Sequence, residues 1–359
     1  MNQQPIGRSD LTISAIGLGT GTFGREVDEE MSFRIMDYAI EKGITFFDTS
    51  EAYGGGQARE NRRMMLGVDD IRETTGELSS SERIIGDWMK LRGCRDEITL
   101  CTKISGGRGR PEQIVSALSA SLDRLQTDHV EIFKMHSPDL NTPIDETLGA
   151  MDAEVNSGRV RVIGGANYSD KLLKEALETS EAQGYSRFEV TQPNYNLAVP
   201  DAQEDLFPLC RRENIAVTSY SPLGAGFLTG KYTPDRTQIP PFTRMHVAPA
   251  HIDIYFNDRS FRIMSALRAK AEELGLPIVR LAMSWAMTHP DVTAVLTGAR
   301  STITTSSVTR RAVWSAATRL PARTSISIRL PHMASTLTAV CQMVSRSSTR
   351  TGTRSGRLP

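Results

Sequence analysis

Eight short apolar runs, separated by helix-length segments, constrain this 359-residue chain more than any other feature. They fall at 14–19, 44–48, 97–102, 129–135, 161–165, 188–192, 215–219 and 293–297. Their length and β-branched or aromatic content suit strands buried on both faces. Amphipathic helix segments lie between most of them, at 30–42, 82–91, 111–125, 144–156, 170–181 and 202–213. Two more, at 261–274 and 278–288, precede the last run. Pro111 and Pro143 suit first-turn positions, and Gly43, Gly158 and Gly275 follow last turns. Strands alternating with helices predict an α/β fold closed as a (β/α)8 TIM barrel, for which residues 1–300 are long enough. An open doubly wound sheet is the alternative. Against it, no Gly-x-Gly-x-x-Gly segment follows a strand and opens a helix.

Composition narrows the class further. Hydrophobic residues are 39% and charged residues 23%, as in a globular protein with a full core. No stretch approaches the roughly 18 apolar residues of a membrane span, and residues 1–10 lack the apolar run of a signal peptide. The four cysteines (Cys94, Cys101, Cys210, Cys341) have neither zinc-site nor disulfide-scaffold spacing, so a cytoplasmic location is expected.

The neutral net charge conceals a split. Residues 301–359 hold nine arginines and 22 serines or threonines, but no lysine, aspartate or glutamate. Residues 1–300 therefore carry 33 basic and 42 acidic side chains. An acidic body argues against nucleic acid as the partner. The Arg/Ser/Thr-rich tail reads as a poorly ordered extension, or as the product of a shifted reading frame. A basic arm for RNA or a membrane surface is the other reading.

The C-terminal ends of the second, third and fourth runs carry the chemistry. Asp48 ends the second, with Tyr53 five residues on; Lys103 follows the third and His136 the fourth. In a barrel these four side chains converge over one mouth. An ammonium beside a phenol stabilises the phenolate, and a carboxylate keeps that lysine charged and oriented. A histidine can hydrogen-bond a carbonyl oxygen and align it for attack. No His/Asp/Glu/Cys group has metal-ligand spacing.

Over residues 1–300 the chain resembles the aldo-keto reductases, nicotinamide-dependent barrel oxidoreductases. The matching segments are Ile16-Gly17-Leu18-Gly19-Thr20, Phe47-Asp48-Thr49 with Tyr53-Gly54, Thr102-Lys103 and Met135-His136. Others are Ile163-Gly164-Gly165-Ala166-Asn167, Gln192, Ser219 to Gly224, and Gly226 to Lys231. Residues 139–147 are similar to the branch holding bacterial sugar and aldehyde reductases and potassium-channel β subunits.

The resemblance implies roles. Tyr53 would donate the proton to a carbonyl oxygen, tuned by Lys103 and Asp48, and His136 would orient the substrate. Asn167 and Gln192 would hold the nicotinamide carboxamide, and Tyr220 would lie against the ring. Ser221, Pro222, Leu223, Gly224 and Gly226 would wrap the pyrophosphate, and Lys231 would contact a phosphate. Thr20, Gly21, Asp48, Gly298, Arg300 and Ser301 would complete the cofactor site. NADPH is the expected cofactor, with NADH as the alternative. The expected partner is a small carbonyl substrate, with neither nucleic acid nor membrane and with a homo-oligomer left open. A cofactor-bound sensor or auxiliary subunit with little turnover is the rival function.

Three departures stand out. Ala166 replaces the serine that usually precedes the Asn167 position. An insertion spans 57–79 and delays the Ser81-Glu82 motif; it reads as a substrate lid, or as an oligomer contact or peripheral decoration. Its Arg59, Arg62 and Arg63 read as a solvated cluster, with an anion site for a phosphorylated or acidic substrate as the alternative. Beyond Ser301 the polar and acidic residues that grip the adenosine end are missing, and the last barrel helix would have to come from 308–320.

Overall fold

The computed structural model describes residues 1–67, 73–241 and 243–298. Arg300 and Ser301, the tail at 301–359 and the helix expected at 308–320 lie outside them. The chain opens with an antiparallel hairpin, β1 (Gln3–Pro5) against β2 (Thr12–Ser14). Eight parallel strands follow: β3 (Ile16–Gly19), β4 (Phe46–Asp48), β5 (Thr99–Ile104), β6 (Val130–Met135), β7 (Val160–Ala166), β8 (Phe188–Gln192), β9 (Ala216–Ser219) and β10 (Ala294–Gly298). They close a barrel in chain order, with β10 pairing both β9 and β3. All eight predicted strands are present, with each end within two residues of its expected position.

The described chain forms two compact units. The barrel unit holds residues 1–67, 73–194, 201–220 and 290–298. Its helices are α1 (Glu29–Glu41), α2 (Gly55–Leu66), α3 (Ser80–Arg92), α4 (Pro111–Leu125), α5 (Ile144–Asn156), α6 (Asp170–Gln183) and α7 (Leu206–Glu213). Their ends follow local chemistry. Asp28 caps α1 by accepting from the Met31 amide at 2.8 Å, and Ser169 caps α6 through the Leu172 amide. Pro111 occupies the first position of α4, while Pro143 sits one residue earlier than expected, as the cap of α5. Trp88, on α3, is buried and stacks on Phe47.

The second unit takes 195–200, 221–241 and 243–289. Between β9 and Asp258 this unit carries 3-10 turns and two short helices, α8 (Arg244–Val247) and α9 (Ala250–Tyr255). Two longer helices follow, α10 (Asp258–Glu273) and α11 (Ile278–Met287). Phe227, Tyr232, Phe256 and Phe261 cluster in this unit, and Tyr195 stacks on Trp285.

Side chains alternate across a strand, so residues two apart share a face. The barrel interior is layered accordingly. Phe46, Cys101, Ile132, Val190 and Ala216 belong to one apolar cluster, joined by Ile6, Leu11 and Ile13 of the N-terminal hairpin. The hairpin is tied to the N-terminal ends of the strands: the Arg8 amide donates to Glu189, and Asn214 donates to the Gly7 carbonyl. Two residues further along the same strands stand Asp48, Lys103, Lys134, Gln192 and Thr218, all buried. A polar layer therefore lies on top of an apolar plug, toward the C-terminal ends of the strands.

Candidate active site

Asp48 is the hub of that polar layer. Its Oδ1 accepts from Lys103 Nζ at 2.6 Å, and its Oδ2 accepts from Gln192 Nε2 at 3.0 Å and from Lys134 Nζ at 3.3 Å. Lys103 also donates to the Thr49 carbonyl at 2.6 Å. The two ammoniums and the amide hold the Asp48 carboxyl down at about 2, against the opposing effect of burial. Burial opposes the charged form of Lys103, but Asp48 outweighs it and raises the ammonium above its ordinary value.

Tyr53, on the turn after β4, lies with its ring 5.0 Å from Lys103 Nζ and edge-on to His136 at 5.4 Å. Burial holds its phenol above the ordinary value; Lys103 pulls it down and Asp48 pushes it up. The sequence anticipates the pull of Lys103 but not the larger effect of the surrounding protein. His136 follows β6 and is held down at about 3, by burial first and then by the Lys103 ammonium, so its imidazole is neutral at pH 7. Its Nδ1 sits 3.0 Å from Ser50 Oγ.

Asn167 follows β7 in the left-handed region, at φ 61°, a conformation asparagine tolerates better than most residues. Its Nδ2 donates to the His136 carbonyl and its Oδ1 accepts from the Tyr220 hydroxyl, each at 2.8 Å. Thr20 is buried and donates to the Asp48 carbonyl, while Gly21 passes over the Tyr53 ring: a side chain there would start 3.7 Å from it. Asp48, Tyr53, Lys103, His136, Asn167, Gln192, Tyr220, Thr20 and Gly21 thus come together in the barrel unit.

The inserted segment is fastened to the Tyr53 turn. Gln57 donates to the Glu51 carbonyl and accepts from the Ser79 amide, and the Ser81 amide donates to the Tyr53 carbonyl. Ser81 Oγ then reaches Thr20 Oγ1 at 2.8 Å and Thr49 Oγ1 at 2.9 Å. Beside it, buried Glu82 accepts from Thr102 Oγ1 and from Arg124 Nε at 2.7 Å. Arg59, expected in a solvated cluster, lies 3.8 Å from the Glu73 carboxylate.

The sequence model of the aldo/keto reductase family matches residues 15–310. The chain belongs to that family. It is 30% identical to the uncharacterized oxidoreductase YrpG of Bacillus subtilis over 310 residues, 82% of this chain and 86% of that protein. A probable voltage-gated potassium channel subunit beta of Arabidopsis thaliana is also 30% identical, over 83% of this chain and 87% of its own length. The aldo-keto reductase YhdN of Bacillus subtilis is 30% identical over 84% of this chain and 85% of its own. Aldo/keto reductase membership carries carbonyl reduction with a nicotinamide cofactor as its general chemistry.

The aldo/keto reductase glycine segment at 221–231 falls in the second unit. Ser221, Gly224, Ala225 and Gly226 all have positive φ, which makes a tight coil of backbone. The Gly224 amide donates to the Ser221 carbonyl and the Gly226 amide to that of Leu223, so these two N–H groups already serve the turn. Lys231 is exposed, and a side chain at Gly226 would start 3.1 Å from its Nζ. Gly298 ends β10, exposed. No group of His, Cys, Asp and Glu able to hold a metal occurs among the described residues, and no helix among them is long and apolar enough to cross a membrane.

Lys134 is the member of the buried polar layer that sequence reading passes over. A lysine within a strand reads as solvated, yet it lies two residues beyond interior Ile132, just as Lys103 lies two beyond Cys101. That shared parity was the available signal.

Proposed function

We propose that this chain reduces an aldehyde or ketone to the alcohol with NADPH, Tyr53 serving as proton donor. The reading rests on one observation: a phenol placed beside a buried Lys103–Asp48 pair and a neutral imidazole, at the C-terminal ends of adjacent barrel strands. Converging titratable groups at that face are what a barrel active site requires.

The substrate carbonyl oxygen takes the Tyr53 proton as negative charge develops on it. The Lys103 ammonium stabilises the phenolate left behind, and Asp48 fixes that ammonium in place. His136, neutral at working pH, offers a hydrogen bond that orients the carbonyl. Once bound, a nicotinamide would contribute hydride chemistry at the carbonyl carbon. Asn167, Gln192 and Tyr220 would hold its carboxamide and ring, with Thr20, Gly21 and Gly298 nearby in the barrel unit. Ser219 Oγ supports the fit: at the end of β9 it is buried without a hydrogen-bond partner among the described residues, a demand that a bound polar group can meet. Ser221 to Gly226 and Lys231 would take the phosphates, with Arg300 and Ser301 at the adenosine end. A cytoplasmic location accords with three buried, unbridged cysteines.

The test follows nicotinamide absorbance with NADPH or NADH across a panel of aldehydes and ketones, with Tyr53→Phe as control. Oxidation that collapses in the variant supports the reductase. Cofactor retained without turnover supports the second reading, an auxiliary subunit, which the similarity to a channel β subunit favours.

A further inference from the structure

Lys134 places a second ammonium in the buried layer beneath Tyr53. It is fully buried, donates to Asp48 Oδ2 at 3.3 Å and to Thr218 Oγ1 at 3.2 Å, and lies 5.8 Å from the centre of the Phe46 ring. Thr218 passes its own proton to the Thr191 carbonyl, which leaves its oxygen free to accept from the lysine.

The charge balance of this layer follows from its members. Facing it are Asp48 from β4, Cys101 and Lys103 from β5, and Lys134 and His136 from β6 and the turn after it. Gln192 of β8 and Thr218 of β9 carry no charge. Burial pushes the Cys101 thiol up to about 12 and holds His136 at about 3, so both are neutral at pH 7. Nearby Glu51 is paired with Arg108, and Glu82 with Arg124. One carboxylate therefore faces two ammoniums. An uncompensated positive charge out of water is unfavourable, and an anion formed beside it relieves the cost. Tyr53 is the group positioned to become that anion.

We infer that Lys134 is a positioning residue of the proposed reduction: by sharing Asp48 with Lys103 it leaves the buried cluster one positive charge in excess, which favours the anionic Tyr53 oxygen. The inference rests on the reductase reading for its purpose, but its electrostatic content stands on the four side chains alone. Removing the charge makes the phenol harder to ionise. In the reductive direction, where Tyr53 must hold its proton, the alkaline limb of the rate profile moves to higher pH. In alcohol oxidation, where the phenolate is needed, the rate at neutral pH falls.

The experiment compares the wild-type chain with Lys134→Met and Lys134→Gln. Tyr53 ionisation is followed by NMR of 13Cζ-labelled tyrosine, its signal assigned by loss in Tyr53→Phe, alongside the pH profile of kcat/KM. The expected result is a Tyr53 midpoint about one pH unit higher in both variants, a tenfold change in acidity, with the alkaline limb displaced equally. An unchanged midpoint in folded variants overturns the inference, as does a Tyr53 that does not ionise before the fold is lost. If neither variant folds, Lys134 belongs to the core alone and the inference is likewise overturned. A displaced midpoint in a protein that reduces no carbonyl compound upholds the electrostatic role while removing the reductase reading.

Discussion

Ser50 Oγ lies 3.0 Å from His136 Nδ1 and 3.2 Å from the Lys103 carbonyl, so one buried hydroxyl proton has two acceptors within reach. When it goes to Nδ1, the imidazole proton sits on Nε2, the tautomer able to donate to a carbonyl oxygen. In that arrangement Ser50 selects the form of His136 without touching substrate. Ser50→Ala should lower kcat/KM about five- to tenfold, the scale of one hydrogen bond of about 1 kcal/mol, with thermal stability nearly unchanged. Steady-state kinetics beside a melting curve checks this; equal activity would remove the tautomer role.

Acid should loosen the fold in a predictable window. In the unfolded chain an imidazole takes up a proton near pH 6.5, whereas His136 in the fold stays neutral down to about 3. Between those limits the unfolded state binds the extra proton, so stability falls as pH drops. The cost is about 1.4 kcal/mol per pH unit at most, reduced by the partial exposure of the ring. Asp48, held at about 2, adds loss in the same direction below its unfolded value near 3.8. Thermal midpoints measured from pH 7.5 to 4.5 should decline, and His136→Phe should decline less steeply. Parallel slopes would sink the assignment.

The two members of the Asp48–Lys103 pair should not be equivalent. Lys103→Met leaves Asp48 with Lys134 and Gln192 as partners. Asp48→Asn leaves two buried ammoniums facing each other without a counterion. Breaking a buried pair costs about 3–5 kcal/mol. Asp48→Asn should reach that range, and Lys103→Met should fall short of it. Chemical denaturation of both variants at pH 7 gives the comparison, and the reverse ranking would mean that Lys134 does not share the carboxylate.

The features legible in the sequence were those with a period. Buried parallel strands such as β6 and β8 announce themselves as short apolar runs, and Gly43, Gly158 and Gly275 mark helix ends because each sits at positive φ. The four residues Asp48, Tyr53, Lys103 and His136 could be picked out because each falls at or just past a strand end. Harder to see was β1, three polar or proline residues whose pairing depends on Thr12–Ser14. The helix α2 was equally hidden. Residues 57–64 are good helix formers, but no apolar stripe set them apart from a polar loop. Lys134 needed the barrel register, since only closure turns its face inward.

The insertion meets the Tyr53 turn through Gly55 and Gly56, and this contact yields the last prediction. A side chain at Gly55 would start 1.8 Å from the Thr75 carbonyl oxygen and 2.5 Å from that of Gly24. One at Gly56 would start 2.6 Å from the Gly76 carbonyl oxygen. These neighbours are backbone atoms and cannot swing aside as a flexible side chain would. Gly55→Ala must therefore displace residues 75–80 from the turn that carries Tyr53, with the Ser81 amide to Tyr53 carbonyl bond among the losses. Overpacking of this kind costs about 1–3 kcal/mol. The expected outcome is a lower thermal midpoint together with a drop in kcat, since Tyr53 loses its support, and faster proteolysis within 57–79. A control at Gly93, whose added carbon would meet nothing within 4 Å but whose φ is 62°, separates the effects. Gly93→Ala should destabilise through backbone strain alone and leave kcat intact. Loss of stability at Gly55→Ala with kcat unchanged would show that the insertion is seated on the turn without governing Tyr53.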